Sequence, residues 1–298
     1  LLIKRTDAAE GWTLYDSMRG IVSGGSDMRL FANSNTDEST SVDRIELTST
    51  GFKIVSDDAD TNTNGGSYIF TAIRRSDGYV GKPADAGTDV FHMLNASSTN
   101  APPWFKPTDF PVDFSFTREP ATSHNWATGS RLTGKSRLYT DLNNAASDNG
   151  NFLWDYSSGW NGYNGSEAYQ SWMWKRHAGF DVVTYKGNAV AGRPIPHSLS
   201  KTPEMMWVKT RDSADNWAVY HKGLNGGTNP QDYFLKLNTT DAESNSINNW
   251  NDQAPTSTHF IIDDDNRVNK DGDQFIAMLF SSVDGISKVG YYTGNGTT

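Results

Sequence analysis

The sequence predicts an all-β protein made of tandem antiparallel β-sandwich modules, with few or no helices. Three observations carry that expectation. Apolar residues recur at every second position in short stretches, the mark of strands with one buried face. Asn-Gly or Asp-Gly pairs stand directly before aromatic-rich stretches, and tight hairpins favour such pairs because their central residues need positive φ. One order of strand, basic pair, turn, Trp and strand comes round three times, as a repeated module requires. No window holds the i, i+3, i+4, i+7 apolar spacing of an amphipathic helix over three turns.

In chain order, the first copy opens LLIKRTDAAEGWTLYDSMRG, from Leu1 to Gly20. The second opens VDFSFTREPATSHNWATGSRL, from Val112 to Leu132, and the third MMWVKTRDSADNWAVYHKGLNG, from Met205 to Gly226. Trp12, Trp126 and Trp217 hold matching places, and that recurrence with the fold predicts a core role for each. A second alternating strand follows, from Met28, Ser136 and Tyr233, and each runs into an Asn/Thr/Asp-rich loop. The turn pairs Asn64-Gly65, Asn164-Gly165 and Asp271-Gly272 then precede SYIFTAIRR, SEAYQSWMWKR and DQFIAMLFSS. After each aromatic strand a Gly leads to a further strand: DGYVGKP, AGFDVVTYKGNAV and DGISKVGYYTGNGTT.

The expected divisions are a module over residues 1–75 lacking its opening strand, a divergent aromatic-rich module over 76–178 and a third over 179–284. Residues 285–298 form the opening strand of a next module or a strand completing a neighbour. The sequence is accordingly expected to be an excerpt from a longer array. No charged segment followed by an apolar one comes after Leu1, so no signal peptide is expected.

The formal net charge of -9 argues against a nucleic-acid partner, which needs a basic face. It argues equally against docking on anionic membrane, and no apolar run approaches the roughly 20 residues that span a bilayer. The chain has no Cys, which removes disulfides and thiolate metal sites and suits assembly in a reducing cytoplasm.

The segments LLIKRTDAAEGWTLYDSMRGIVSGG, GGSYIFTAIRR, PEMMWVKTRDSADNWAVYHKGLNGGTNP, WNDQAPTSTHF and ISKVGYYTGNGTT resemble a repeated module of tailed-phage structural proteins, those of marine phages above all. The resemblance covers most of the first and third copies; the middle one, near Val112–Arg176, departs in loop length and in its extra aromatics. It implies concanavalin-like or laminin-G-like jelly rolls and a place in a tail fibre or on a virion surface. It supplies no catalytic residues.

Catalytic motifs are missing. Nucleophile elbows, HExxH and P-loops do not occur. The six His residues are scattered, and no strand carries the alternating carboxylates of sandwich-type glycosidases. Binding rather than catalysis is the expectation. Asp58, Asp60, Asn62 and Asn64 alternate as in the first half of an EF-type loop, so Ca2+ is the candidate cofactor, although Thr71 stands where the closing Glu belongs. A second acidic run holds Asp263, Asp264, Asp265 and Asp271.

The candidate carbohydrate site is Trp154, Asp155, Trp160, Asn161 and Tyr163, in a loop rich in Gly, Asn and Ser. Aromatic faces stack on sugar C–H groups, and neighbouring polar side chains bind hydroxyls. Trp172 and Trp174 share one strand face and are expected in the core or between packed sheets. The expected partners are the chain itself, as a trimer or filament, other virion proteins and host-surface glycans. A purely structural virion protein, or the accessory module of a polysaccharide-active enzyme, is the alternative.

Overall fold

The computed structural model describes residues 1–17, 19–48, 51–73, 84–96, 102–162 and 168–296. The chain folds as antiparallel sheets, and its only α-helices among the described residues are two single turns of four residues.

In the first copy, β1 (Leu2–Arg5), β2 (Trp12–Leu14), β3 (Leu30–Phe31), β4 (Ile45–Leu47), β5 (Phe52–Ile54) and β6 (Tyr68–Thr71) form two sheets. Four strands run β3-β2-β1-β6, and β4 pairs with β5. Alternation in LIKR sends Ile3 inward, where it joins Tyr15, Ile21 and Ile45, with Tyr68 and Phe52 packed against them. Lys4 turns outward, and its ammonium donates to the Glu10 carbonyl at 2.8 Å, bracing the turn into β2.

The second copy holds β7 (Phe91–Asn95), β8 (Phe114–Arg118), β9 (Ala127–Ser130), β10 (Ser136–Tyr139), β11 (Ser147–Asp148) and β12 (Gln170–Trp174), in the order β11-β10-β9-β8-β12-β7. Its second layer is made of loops joined by isolated bridges, Phe105 with Trp160 and Leu153 with Asn161. The first two copies touch where Ser23 N–H donates to the Leu132 carbonyl and Val22 lies over Gly134.

The third copy holds β13 (Phe180–Lys186), β14 (Arg193–Pro196), β15 (Met205–Thr210), β16 (Ala218–His221), β17 (Tyr233–Lys236), β18 (Ser244–Asn245), α1 (Ile247–Trp250), β19 (His259–Ile262), α2 (Asn266–Asn269) and β20 (Gln274–Phe280). Six strands run β13-β20-β15-β16-β17-β18, and β14-β19 forms the second layer. Between them lie Tyr185, Val208, Trp250, Phe260 and Phe275. By compactness β1–β12 belong to one unit and β13–β20 to another.

The strand register is the same three times over. Ile3 faces Thr13, Thr117 faces Ala127 and Val208 faces Ala218. On the other side Ile3 faces Phe70, Thr117 faces Ser171 and Val208 faces Ala277. The third strand follows suit, with Leu14 opposite Leu30, Thr128 opposite Leu138 and Val219 opposite Leu235. A small detail repeats as well: Trp12 N–H donates to Asn33 Oδ1 at 2.7 Å, and Trp217 N–H to Asn238 Oδ1 at 3.0 Å.

An opening strand flanks the last strand in two copies: β7 lies along β12, and β13 along β20. Among the described residues no strand lies along the equivalent edge of β6. Residues 285–296 form no strand in their own copy.

Two expectations are corrected. The pairs Asn64-Gly65 and Asp271-Gly272 do turn at positive φ, with Gly65 at 77° and Gly272 at 80°. They are not hairpins, because β5 and β6 lie in different sheets, as do β19 and β20. The turn carries the chain from one layer to the other. The matching Asn164-Gly165 and the expected strand DGYVGKP lie outside the described residues. The recurrent Trp is likewise not uniformly core: Trp217 is fully buried, Trp126 is half-buried and Trp12 is 39% exposed. Its backbone place in the register recurs, while the cover over its ring differs from copy to copy.

Candidate functional site

The loop that carries the expected sugar site folds inward. Trp160 is 0% exposed. Phe105 and Trp154 stack on its ring with centroids 5.7 and 4.5 Å away, and Phe152 meets it edge-on at 5.1 Å. Its indole N–H donates to Ser171 Oγ at 2.9 Å, which satisfies the one polar atom of the buried ring. Trp154 is buried too, and its N–H donates to the Gly134 carbonyl. Asn161 is spent on the backbone, accepting from Trp104 N–H and donating to the Asn151 carbonyl. Asp155 is exposed. Tyr163 lies outside the described residues. Trp160, Trp154 and Asn161 are therefore core and scaffold: a ring with no accessible surface offers no face to a sugar.

The acidic run 58–64 is an ion-pair cluster instead of a calcium loop. Arg29 reaches Asp60 at 2.8 Å and Asp58 at 3.3 Å, and Arg44 reaches Asp58 at 3.0 Å. These guanidinium groups stand where the compensating cation would have to sit. Asn62 donates to the Ser56 carbonyl, and Asn64 is exposed. The Asp58 carboxyl is pushed up by burial, but the Arg44 hydrogen bond, the Asp60 amide and the two Arg charges outweigh that and hold it below its ordinary value.

The reason for Asp at that place is local geometry. Asp58 Oδ1 accepts from Asp60 N–H while its carbonyl accepts from Thr61 and Asn62 N–H. Asp265 makes the same three contacts with Arg267, Val268 and Asn269, capping α2. Asp264 accepts from Asn248, and burial pushes Asp263 up. Among the described residues no group of three or more His, Cys, Asp or Glu is placed to hold a metal ion.

A surface of a different kind lies on the outer face of the second sheet. Pairing lines up Phe91, Trp174 and Phe114 in one row, Met93, Trp172 and Phe116 in the next, and Asn95, Gln170 and Arg118 in the third. Met93 is 52% exposed, and Trp172, Trp174, Phe116 and Trp126 are half-buried. Trp172 lies 5.1 Å from Trp126 and 5.3 Å from Phe116. Arg118 lies over Trp126 at 5.2 Å, and its Nε is buried without a partner among the described residues.

An apolar platform thus ends in a polar row of amide and guanidinium groups, the two ingredients of sugar or peptide recognition. Trp172 and Trp174 share a face, as the alternation indicates, but their expected place in the core or between packed sheets is corrected: Met173 takes the core side of QSWMW, and the two Trp rings lie half-buried on the other.

Among the described residues no helix is long and apolar enough to cross a membrane. No curated protein and no solved structure matches the chain. A family model described as a domain of unknown function (DUF7483) matches residues 1–76 and 128–298, and over that majority of its length the chain belongs to this family.

Proposed function

We propose that the chain is a structural and adhesive segment of a phage tail fibre or other virion appendage, associating with copies of itself and meeting host-surface glycans. The observation that carries this reading is the threefold strand register. Tandem modules on one plan extend a chain stepwise, and many weak sites on an extended array compensate for low affinity at each. The adhesive surface in this reading is the outer face of the second sheet, with Trp172, Met93 and Trp126 as platform and Gln170, Asn95 and Arg118 as hydrogen-bonding rim.

A second reading, a purely structural virion protein, draws on one feature of that face. Phe116 touches Trp126, Trp172 and Trp174, all tilted or edge-on, so the rings spend part of their surface on each other. Such a face also suits a protein neighbour.

Two measurements test the proposal. Gold-labelled antibody against the chain is expected on the appendages of intact particles, and its absence from particles overturns the reading. Met93→Asp, a change at an exposed site, is expected to lower binding to host polysaccharide at least tenfold without shifting the melting temperature. Unchanged binding removes the glycan role and leaves the structural one.

A further inference from the structure

We propose that the outer face of the second sheet takes a carboxylate-bearing saccharide, the Arg118 guanidinium pairing with the sugar acid while the neighbouring rings hold the sugar's apolar face. The inference rests on the adhesive reading of that sheet and names the class of glycan it takes.

The repeat isolates what is particular to this face. Because Ile3, Thr117 and Val208 share one register position, Arg118 stands where the other copies have Lys4 and Lys209. Across the sheet that row runs from Lys4 to Ile69 in the first copy and from Lys209 to Ile276 and Thr184 in the third. In the second it runs from Arg118 to Gln170 and Asn95. Ile and Thr favour a pleated surface and Asn disfavours it. The second copy thus gives up good strand formers here for two carboxamides. Neither carboxamide is spent on another described residue, and Asn95 is exposed.

The base at this position has a structural duty in every copy. Lys4 Nζ donates to the Glu10 carbonyl at 2.8 Å, and Lys209 Nζ to the Thr210 and Ser213 carbonyls at 2.8 and 3.1 Å. Arg118 Nη2 donates to the Thr122 carbonyl at 3.1 Å, so each braces the turn after its strand. An ammonium suffices for that duty. A guanidinium carries five N–H donors in a planar fork, and bracing the turn leaves most of them over. Among those left, Arg118 Nε is buried with no partner among the described residues.

Charge points the same way. The chain has a formal net charge of -9, yet no carboxylate among the described residues pairs with Arg118. Glu119, next in the chain, turns its own to His124 Nδ1 at 3.0 Å. The guanidinium lies instead 5.2 Å from the centre of the Trp126 ring, and Trp126 lies 5.1 Å from Trp172. Stacking on a ring holds a guanidinium in place without consuming its N–H groups. A sugar lying on Trp172 therefore has carboxamides for its hydroxyls and a fixed cation for its acid. The acid that matches a planar fork is a planar carboxylate, through two parallel N–H···O bonds.

Binding of the full chain is measured by calorimetry on uronate polymers (polygalacturonate, alginate and hyaluronate), on the same polymers with their carboxylates reduced to alcohols, and on dextran sulfate. At least one uronate polymer is expected to bind, and its binding is expected to weaken as salt is raised. Its reduced form and dextran sulfate are each expected to bind at least tenfold more weakly. Arg118→Lys installs the residue of the other two copies and can still brace the turn. It is expected to leave melting unchanged and the reduced polymer unaffected, while weakening uronate binding at least fivefold. Gln170→Ile, likewise taken from the other copies, is expected to weaken both forms of the polymer without lowering the melting temperature.

A chain that binds no uronate polymer overturns the proposal. So does equal binding of a polymer and its reduced form, a preference for dextran sulfate, or uronate binding indifferent to Arg118→Lys. If host polysaccharide is still bound in those cases and Met93→Asp still weakens it, the adhesive reading stands and this proposal alone falls. A chain that binds neither these polymers nor host polysaccharide loses both.

Discussion

Single side chains decide what the loops of this protein are for. Trp160 sits in a Gly/Asn/Ser loop, a composition that reads as surface, and its place in the core depends on Phe105, more than fifty positions earlier, bridging to it. No local pattern announces a contact of that range. Removing the ring leaves a large cavity between Phe105, Phe152 and Trp154, so Trp160→Ala is expected to cost about 3–5 kcal/mol in chemical denaturation.

Asp43 is a second residue whose role emerges only from its surroundings. Burial, with the Asp27 and Glu46 charges, pushes its pKa up to about 6, and its Oδ1 is buried without a partner among the described residues. A carboxyl whose folded pKa lies above its unfolded value contributes stability that is complete below about 3.8 and lost as pH rises through about 6. Asp43→Asn, a mimic of the protonated form, is therefore expected to raise the melting temperature at pH 7. The gain is expected to shrink towards nothing near pH 4, as scanning calorimetry at the two pH values would show.

At the scale of elements, strands were the most legible feature, because a period of two survives in any stretch with one buried face. LIKR, YFLK and SRLY are strands for that reason. The Asn-Gly and Asp-Gly signals located turns correctly and partners wrongly. A positive φ is a property of one residue, whereas sheet membership is set by the neighbours across the sandwich. Gly65 and Gly272 have open space where a Cβ would go, so the cost of adding one is the left-handed backbone alone. Gly65→Ala and Gly272→Ala are each expected to cost about 1–2 kcal/mol in urea melts. Near-equal values would mark the two turns as one structural device, and a large difference would mean they are unrelated.

For the whole molecule, the repeat in the sequence was the right guide, and the structure adds a residue-by-residue register that similarity of pattern could not supply. The acidic runs show the opposite case. An alternating Asp/Asn string fits a calcium loop and a capped turn equally well as text. Arg29 and Arg44, which decide between them, stand 29 and 14 positions before Asp58. Melting of the intact chain is accordingly expected to be the same in millimolar calcium and in excess chelator. A chelator-induced drop of several degrees would restore the metal site.

The coincidence of register has a consequence for how such a gene can change. Where Ile3, Thr117 and Val208 occupy one and the same lattice point, a crossover between the DNA encoding two copies within these strands keeps the pairing of the main sheet in step. Unequal exchange can then lengthen or shorten the array, and trade one set of exposed loops for another, while the strand pairs of the main sheet stay matched.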